Sequence, residues 1–125
     1  MPNELILIVE DNEKNLKLAR DVLRFHGYRI SEAPDGETGV RLAAEQLPQL
    51  ILMDIQMPGI DGIEALRRIR ADQRSARIPI VALTASVMSG DRERFDRAGF
   101  DGFISKPIDI KTFPDQVRAH LEAKR

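Results

Sequence analysis

Hydrophobic residues fall along this chain in two alternating kinds of pattern. Short, nearly unbroken apolar runs occupy Leu5 to Val9, Leu50 to Met53 and Ile80 to Leu83, with weaker ones at Tyr28 to Ser31 and Phe103 to Ile104. Runs of this kind, bounded by polar residues, read as strands covered on both faces. Between them, apolar residues recur at helical spacing. Leu16, Ala19 and Leu23 make one stripe, with Leu18, Val22 and Phe25 beside it and Gly27 as its stop. Gly39, Leu42, Ala43 and Leu47 make a second, ended by Pro48, and Gly62, Ala65, Leu66 and Ile69 a third. The stretch from Val87 to Ala98 is thinner, carried by Met88, Phe95 and Ala98 and closed by Gly99. Phe113, Val117 and Leu121 form the last stripe, opened by a Thr112/Asp115 capping pair with Pro114 in the first turn.

Five strands alternating with five helices predict an α/β fold, a doubly wound parallel sheet with helices on both faces and right-handed crossovers. Sites in such sheets lie beyond the carboxyl ends of the strands. Strand one runs into Glu10, Asp11 and Asn12, strand three into Asp54, strand four into Thr84, and strand five into Ser105 and Lys106. Three carboxylates, a hydroxyl and an ammonium therefore converge on one edge.

Carboxylates crowded together raise one another's pKa, and a hard divalent cation relieves the repulsion. Mg²⁺ takes one or two carboxylates and completes its shell with water and phosphate oxygens. A metal, a lysine and a hydroxyl facing one carboxylate form a site suited to phosphoryl transfer, with that carboxylate as nucleophile. Asp54 is the expected acceptor, because the apolar run before it makes its strand central. Asp11 is expected to ligate the metal directly and Glu10 through a water. The backbone carbonyl of Gln56, two residues beyond Asp54, is the third expected protein ligand. Lys106, the Thr84 hydroxyl and the Ala85 N–H are expected on phosphate oxygens.

The rest of the composition removes competitors. A length of 125 residues predicts one domain, 1–125, with no separate output domain. The absence of cysteine excludes disulfides, thiol catalysis and cysteine-bound zinc. Nineteen basic against 20 acidic residues gives no basic excess for nucleic acid. No apolar run reaches a membrane span, and the N-terminus lacks a signal peptide's positive region, so the expected location is the cytoplasm. Asn12 also suits a helix cap. Gly59, Asp61 and Gly62 read as turn and helix-start residues. His26 and His120 read as solvated or helix-terminal. The arginines at 67, 68, 70, 92, 94 and 97 read as solvated faces.

The segments ILIVEDN, LILMDIQMPGIDG, IVALTA and FISKP, in that order, resemble the receiver domain of response regulators in two-component signalling. The resemblance covers essentially the whole chain. MDIQMPGIDGIEALRRIR and ALTASVMSGDRERFDRAGFDGFISKPI are similar to receivers of multistep phosphorelays and hybrid kinases, and the short length and EDN start to DivK-like single-domain regulators.

This resemblance implies a flavodoxin-like (CheY-like) fold with strand order 2-1-3-4-5 and Mg²⁺ as cofactor. It implies phosphorylation of Asp54 by a histidine kinase or histidine phosphotransfer protein. The product would switch protein contacts or relay the phosphate, without separate enzyme activity. It further implies a cis Lys106–Pro107 peptide, a switch through Thr84 and the aromatic Phe103, and a downstream effector on the helix 4–strand 5–helix 5 face. The donor would dock around Asn15 to Val22 and the loop after Lys106. Gln56 and Ser86 would be the positions that vary phosphate lifetime. Phenylalanine at 103 has no hydroxyl for the polar part of that switch.

Two other classes are tested by the same residues. A phosphatase with an aspartyl nucleophile would want a second aspartate where Gln56 stands. A flavodoxin-like cofactor binder would want a hydroxyl- and Gly-rich loop where the acidic Glu10-Asp11-Asn12 stands.

Overall fold

The computed structural model describes residues 3–85 and 89–123, with the side chains of 89–92 left aside. Ser86, Val87 and Met88 lie outside the described residues, as does the side chain of Arg92. The elements are β1 (Leu5–Val9), α1 (Glu13–Phe25), β2 (Arg29–Ala33), α2 (Gly36–Gln46), β3 (Leu50–Asp54), α3 (Gly62–Ala71), β4 (Ile80–Thr84), α4 (Ser89–Ala98), β5 (Gly102–Ser105) and α5 (Phe113–Ala123). All strand pairs are parallel, in the order β2-β1-β3-β4-β5. This is the predicted CheY-like architecture.

Every residue of β3 and β4 is buried, as unbroken apolar runs require. Their side chains alternate between two cores. Leu7, Val9, Ile51, Met53, Ile80 and Ala82 face one way, against Ala43, Ala65, Leu66, Ile69 and Phe95. Ile6, Ile8, Leu50, Leu52, Val81, Leu83 and Ile104 face the other, against Ala19, Leu23, Phe113, Val117 and Leu121. Register then aligns the strand ends. Val9 pairs with Met53, Asp54 with Leu83, and Thr84 with Ser105. The residues that follow or end these strands are thereby neighbours along one edge.

The structure corrects several local expectations. β2 covers residues 29–33 and not 28–31, because it is an edge strand with a mostly half-buried pattern. Tyr28 is buried ahead of it, beneath the Arg118 guanidinium. Leu47 leaves the stripe of α2 and is exposed, capping the helix at φ 50°. Pro48 disfavours helical geometry in the residue before it, so the chain turns there. Phe25, at the end of α1, is 77% exposed.

His120 lies in the last turn of α5, as its helix-terminal reading expected, but it is half-buried against Gly102, where an added Cβ would lie 2.3 Å from its ring, and so is not solvated. Arg70 is no solvated face either. Its guanidinium donates to the carbonyls of Ala76, Ile78 and Gly99 and to the Asp101 carboxylate. α4 is anchored by buried Phe95, edge-on to Phe100 at 6.0 Å. Among the described residues, no helix is long and apolar enough to cross a membrane.

Candidate functional site

A cleft of about 220 Å³ opens at the carboxyl edge of the sheet, lined by ten residues that include Glu10, Asp11, Asn15, Asp54, Gln56, Thr84, Ala85 and Lys106. It lies beside the junction of β1 and β3, where successive connections turn to opposite sides of the sheet. The residues expected at the acceptor site are thus brought together. Phe103 is not in the cleft; it packs, partly buried, against the core cluster that holds Phe95 and Phe100.

Asp54 forms the floor and is 5% exposed, and Glu10 beside it is 2% exposed. Asp11 is exposed at the rim. Each of the three acids offers a carboxylate oxygen, and these oxygens lie within 4.8 Å of one another. Lys106 Nζ lies 2.8 Å from Glu10 Oε1 and 3.2 Å from Asp54 Oδ1. Glu10 Oε1 is buried and its charge partner is this ammonium. Glu10 Oε2 accepts the Asn12 N–H at 3.3 Å, and Asp54 Oδ1 the Gln56 N–H at 3.3 Å.

The charges are unbalanced. Burial, then Glu10, pushes the Asp54 carboxyl up to about 6, although Lys106 pulls the other way. Burial lowers the Lys106 pKa, but its pairing with Glu10 and Asp54 outweighs this and leaves it raised. One half-buried ammonium does not neutralise three acids. Hard oxygen donors this close, two of them buried, fit Mg²⁺.

Local chemistry sets each group in place. Asn12 is the N-cap of α1, its Oδ1 accepting the Asn15 N–H at 3.1 Å. The acidic doublet and the cap are therefore adjacent residues with separate tasks. Asp61 caps α3, and Gly59 occupies the left-handed region at φ 80°, as turn chemistry predicts. The Lys106 N–H donates to the Thr84 carbonyl at 2.8 Å, which ties the lysine to β4. The Lys106–Pro107 peptide is cis. Thr84 is buried at the cleft wall and Ala85 is exposed.

Two residues stand closer to the site than the sequence reading placed them. Gly62 lies against the backbone of Asp54, and a Cβ there would come 2.4 Å from the Asp54 carbonyl. Its signal was available, since glycine is a poor residue for the first turn of a helix unless something approaches closely. Asn15 lines the cleft from the first turn of α1. Nothing in the apolar pattern marks it.

Comparison with known proteins gives a consistent picture. Residues 6–118 match the model of the response regulator receiver domain. The chain is 40% identical over 116 residues to the polar-differentiation response regulator DivK of Brucella ovis, covering 93% of this chain and 94% of that one. Among solved structures, it is similar to the receiver domain of sensor histidine kinase PA1611 from Pseudomonas aeruginosa, a structure with magnesium coordinated in its active-site cleft. That likeness has a TM-score of 0.88 at 38% identity, over 96% of this chain and 98% of that one. The Vibrio cholerae chemotaxis protein CheY4 shares the fold, with TM-score 0.88 at 22% identity over 94% of this chain and 98% of that one.

Proposed function

The chain belongs to the response regulator receiver domains of two-component systems, and on that footing we propose that Asp54 accepts a phosphoryl group from a phosphorylated histidine and so switches protein contacts or relays the phosphate onward. One observation carries the reading. Asp54 is held on the floor of a cleft between two further carboxylates, with the Lys106 ammonium 3.2 Å from its oxygen.

Glu10, Asp11, Asp54 and the Gln56 carbonyl would hold Mg²⁺, Glu10 through a water. The bound ion would supply positive charge against the phosphoryl oxygens. The chain's own groups do the rest. An Asp54 oxygen attacks phosphorus as the phosphorus–nitrogen bond breaks, and the electron pair leaves on the donor imidazole. Lys106, the Thr84 hydroxyl and the Ala85 N–H face the phosphoryl oxygens as their charge redistributes. At pH 7 an acid with a pKa of about 6 is mostly ionised and available as nucleophile.

The donor, a histidine kinase or histidine phosphotransfer protein, would dock across α1 and the loop after Lys106. Asn15 places α1 at the cleft. Farther along, Val22, Phe25, His26 and Ile110 line an apolar groove, with Phe25 77% and Ile110 58% exposed. The readout would pass from Thr84 to Phe103 and so to α4, β5 and α5, where a downstream protein binds. Phe103 packs on the cluster that contains Phe95 of α4, so a movement of its ring is felt there.

The test is Mg²⁺-dependent labelling by acetyl phosphate. Wild type is expected to gain an acid-stable, base-labile phosphoryl group, and Asp54→Asn none with its fold intact. Labelling of Asp54→Asn equal to wild type would contradict the reading. Continuous turnover of p-nitrophenyl phosphate would instead support a phosphatase, for which Gln56 stands where a general acid is needed.

A further inference from the structure

Asn15 brings to the cleft a polar side chain that neither metal binding, phosphate binding nor helix capping employs. Asn15 lines it from α1, half-buried, with its backbone fixed by the Asn12 cap. Among the described residues its carboxamide makes no hydrogen bond, although its main-chain N–H does. Most of the other rim groups are committed. Asp11 belongs to the carboxylate trio, Asn12 Oδ1 is occupied by the cap, and Ala85 offers only its backbone. Gln56 also carries a carboxamide, but on an exposed, longer side chain in a loop.

In-line displacement fixes where a remaining group can act. With Asp54 on the floor, the atom that departs from phosphorus lies on the opposite, open side. The same apical position receives the water that later hydrolyses the aspartyl phosphate. We propose that the Asn15 carboxamide serves this apical position, contacting the donor's leaving atom during phosphorylation and orienting the attacking water during hydrolysis. This inference rests on Asp54 being the acceptor.

A carboxamide suits both tasks because it accepts and donates. With phosphoramidate, the phosphorus–nitrogen bond breaks as the Asp54 oxygen bonds to phosphorus. The electron pair leaves with a nitrogen that already carries its protons, and Asn15 Oδ1 can accept one of those N–H bonds. In hydrolysis, water oxygen bonds to phosphorus and the phosphorus–Asp54 oxygen bond breaks. The electron pair returns to the carboxylate and the water's proton ends on inorganic phosphate. There Oδ1 accepts from the water and Nδ2 can donate to its oxygen.

The experiment compares wild type with Asn15→Ala and with Asn15→Leu, which keeps the shape without the polar atoms. Phosphorylation by phosphoramidate and loss of the phosphate are each expected to slow about five- to tenfold, the size of one lost hydrogen bond. Affinity for Mg²⁺ alone and for beryllofluoride with Mg²⁺ is expected to stay within about twofold, since beryllofluoride mimics the phosphoryl group but carries no apical atom. Unchanged rates, a loss in only one direction, or a parallel fall in beryllofluoride affinity would overturn the role of Asn15. A wild-type chain that takes phosphate from neither phosphoramidate nor acetyl phosphate would overturn the acceptor reading, and this one with it.

Discussion

Gly62 and Asp54 touch through their backbones: a Cβ at position 62 would lie 2.4 Å from the Asp54 carbonyl oxygen and 2.9 Å from Ile55 Cα. The start of α3 is thereby pressed against the strand end that carries Asp54, and the Gly62 N–H donates to the Ile55 carbonyl at 2.9 Å. Neither atom belongs to a flexible side chain, so backbone must move to admit a methyl group. Gly62→Ala is expected to lose about 2 kcal/mol in urea unfolding and to slow phosphorylation by acetyl phosphate as the Asp54 loop shifts. A variant as stable and as fast as wild type would show that the contact relaxes without consequence.

The raised pKa of Asp54 predicts a pH dependence of stability. Asp54 titrates near 6 in the folded, metal-free protein and near its ordinary 3.8 when unfolded. Between those values the folded state binds more protons than the unfolded one, so stability falls as pH rises. Below about 4 both states are protonated and the penalty vanishes; above about 6 it is fully present. Asp54→Asn has no such group. Its stability advantage over wild type should therefore grow from pH 4 to pH 7, to on the order of 2 kcal/mol. Added Mg²⁺ should shrink the gap by stabilising wild type. Urea unfolding of both proteins across this range measures it, and a gap that narrows with rising pH would contradict the assignment.

Lys106 is the cation that Glu10 and Asp54 share, so its removal separates charge balance from metal binding. Lys106→Ala leaves the carboxylates closer to mutual repulsion, which raises the Asp54 pKa further. Phosphorylation by acetyl phosphate is expected to slow at least tenfold, because a preformed positive group on the phosphoryl oxygens is lost. Mg²⁺ affinity, read by titration, should be largely kept. A large loss of Mg²⁺ affinity at unchanged rate would reverse the two roles.

The Arg70–Asp101 pair, 2.9 Å apart, predicts a purely structural effect. Asp101 Oδ2 also accepts the Ile80 N–H at 2.8 Å, so this arginine closes the foot of β4 against the loops before β4 and β5. Arg70→Lys cannot reproduce the fork of donors. It is expected to cost about 2 kcal/mol in urea unfolding while leaving the acetyl phosphate rate unchanged. An equally stable variant would remove this role.

These residues show what the sequence could and could not reveal. β1, β3 and β4 announce themselves because strands buried on both faces tolerate few polar residues, so Glu10, Asp54 and Thr84 mark where burial ends. Parallel order then collects them at one edge, where they line one cleft. β2 was blurred because an edge strand need not be continuously apolar. Arg70 gave no signal because its partners, Gly99 and Asp101, are close only after α3 and α4 pack. His120 looked solvated because the glycine that receives its ring is on another element. Asn15 was legible only as the start of the expected docking surface; that its side chain lines the cleft depends on how the first turn of α1 packs.

The central claim is that the cleft delivers a phosphoryl group to one carboxylate. Borohydride reduction of the protein after incubation with Mg²⁺ and acetyl phosphate, followed by peptide mapping, reads the site directly, because an aspartyl phosphate is reduced to homoserine. Homoserine at position 54, dependent on both reagents, is the predicted result. Homoserine at Asp11 or elsewhere with position 54 intact, or none at all, would contradict the account.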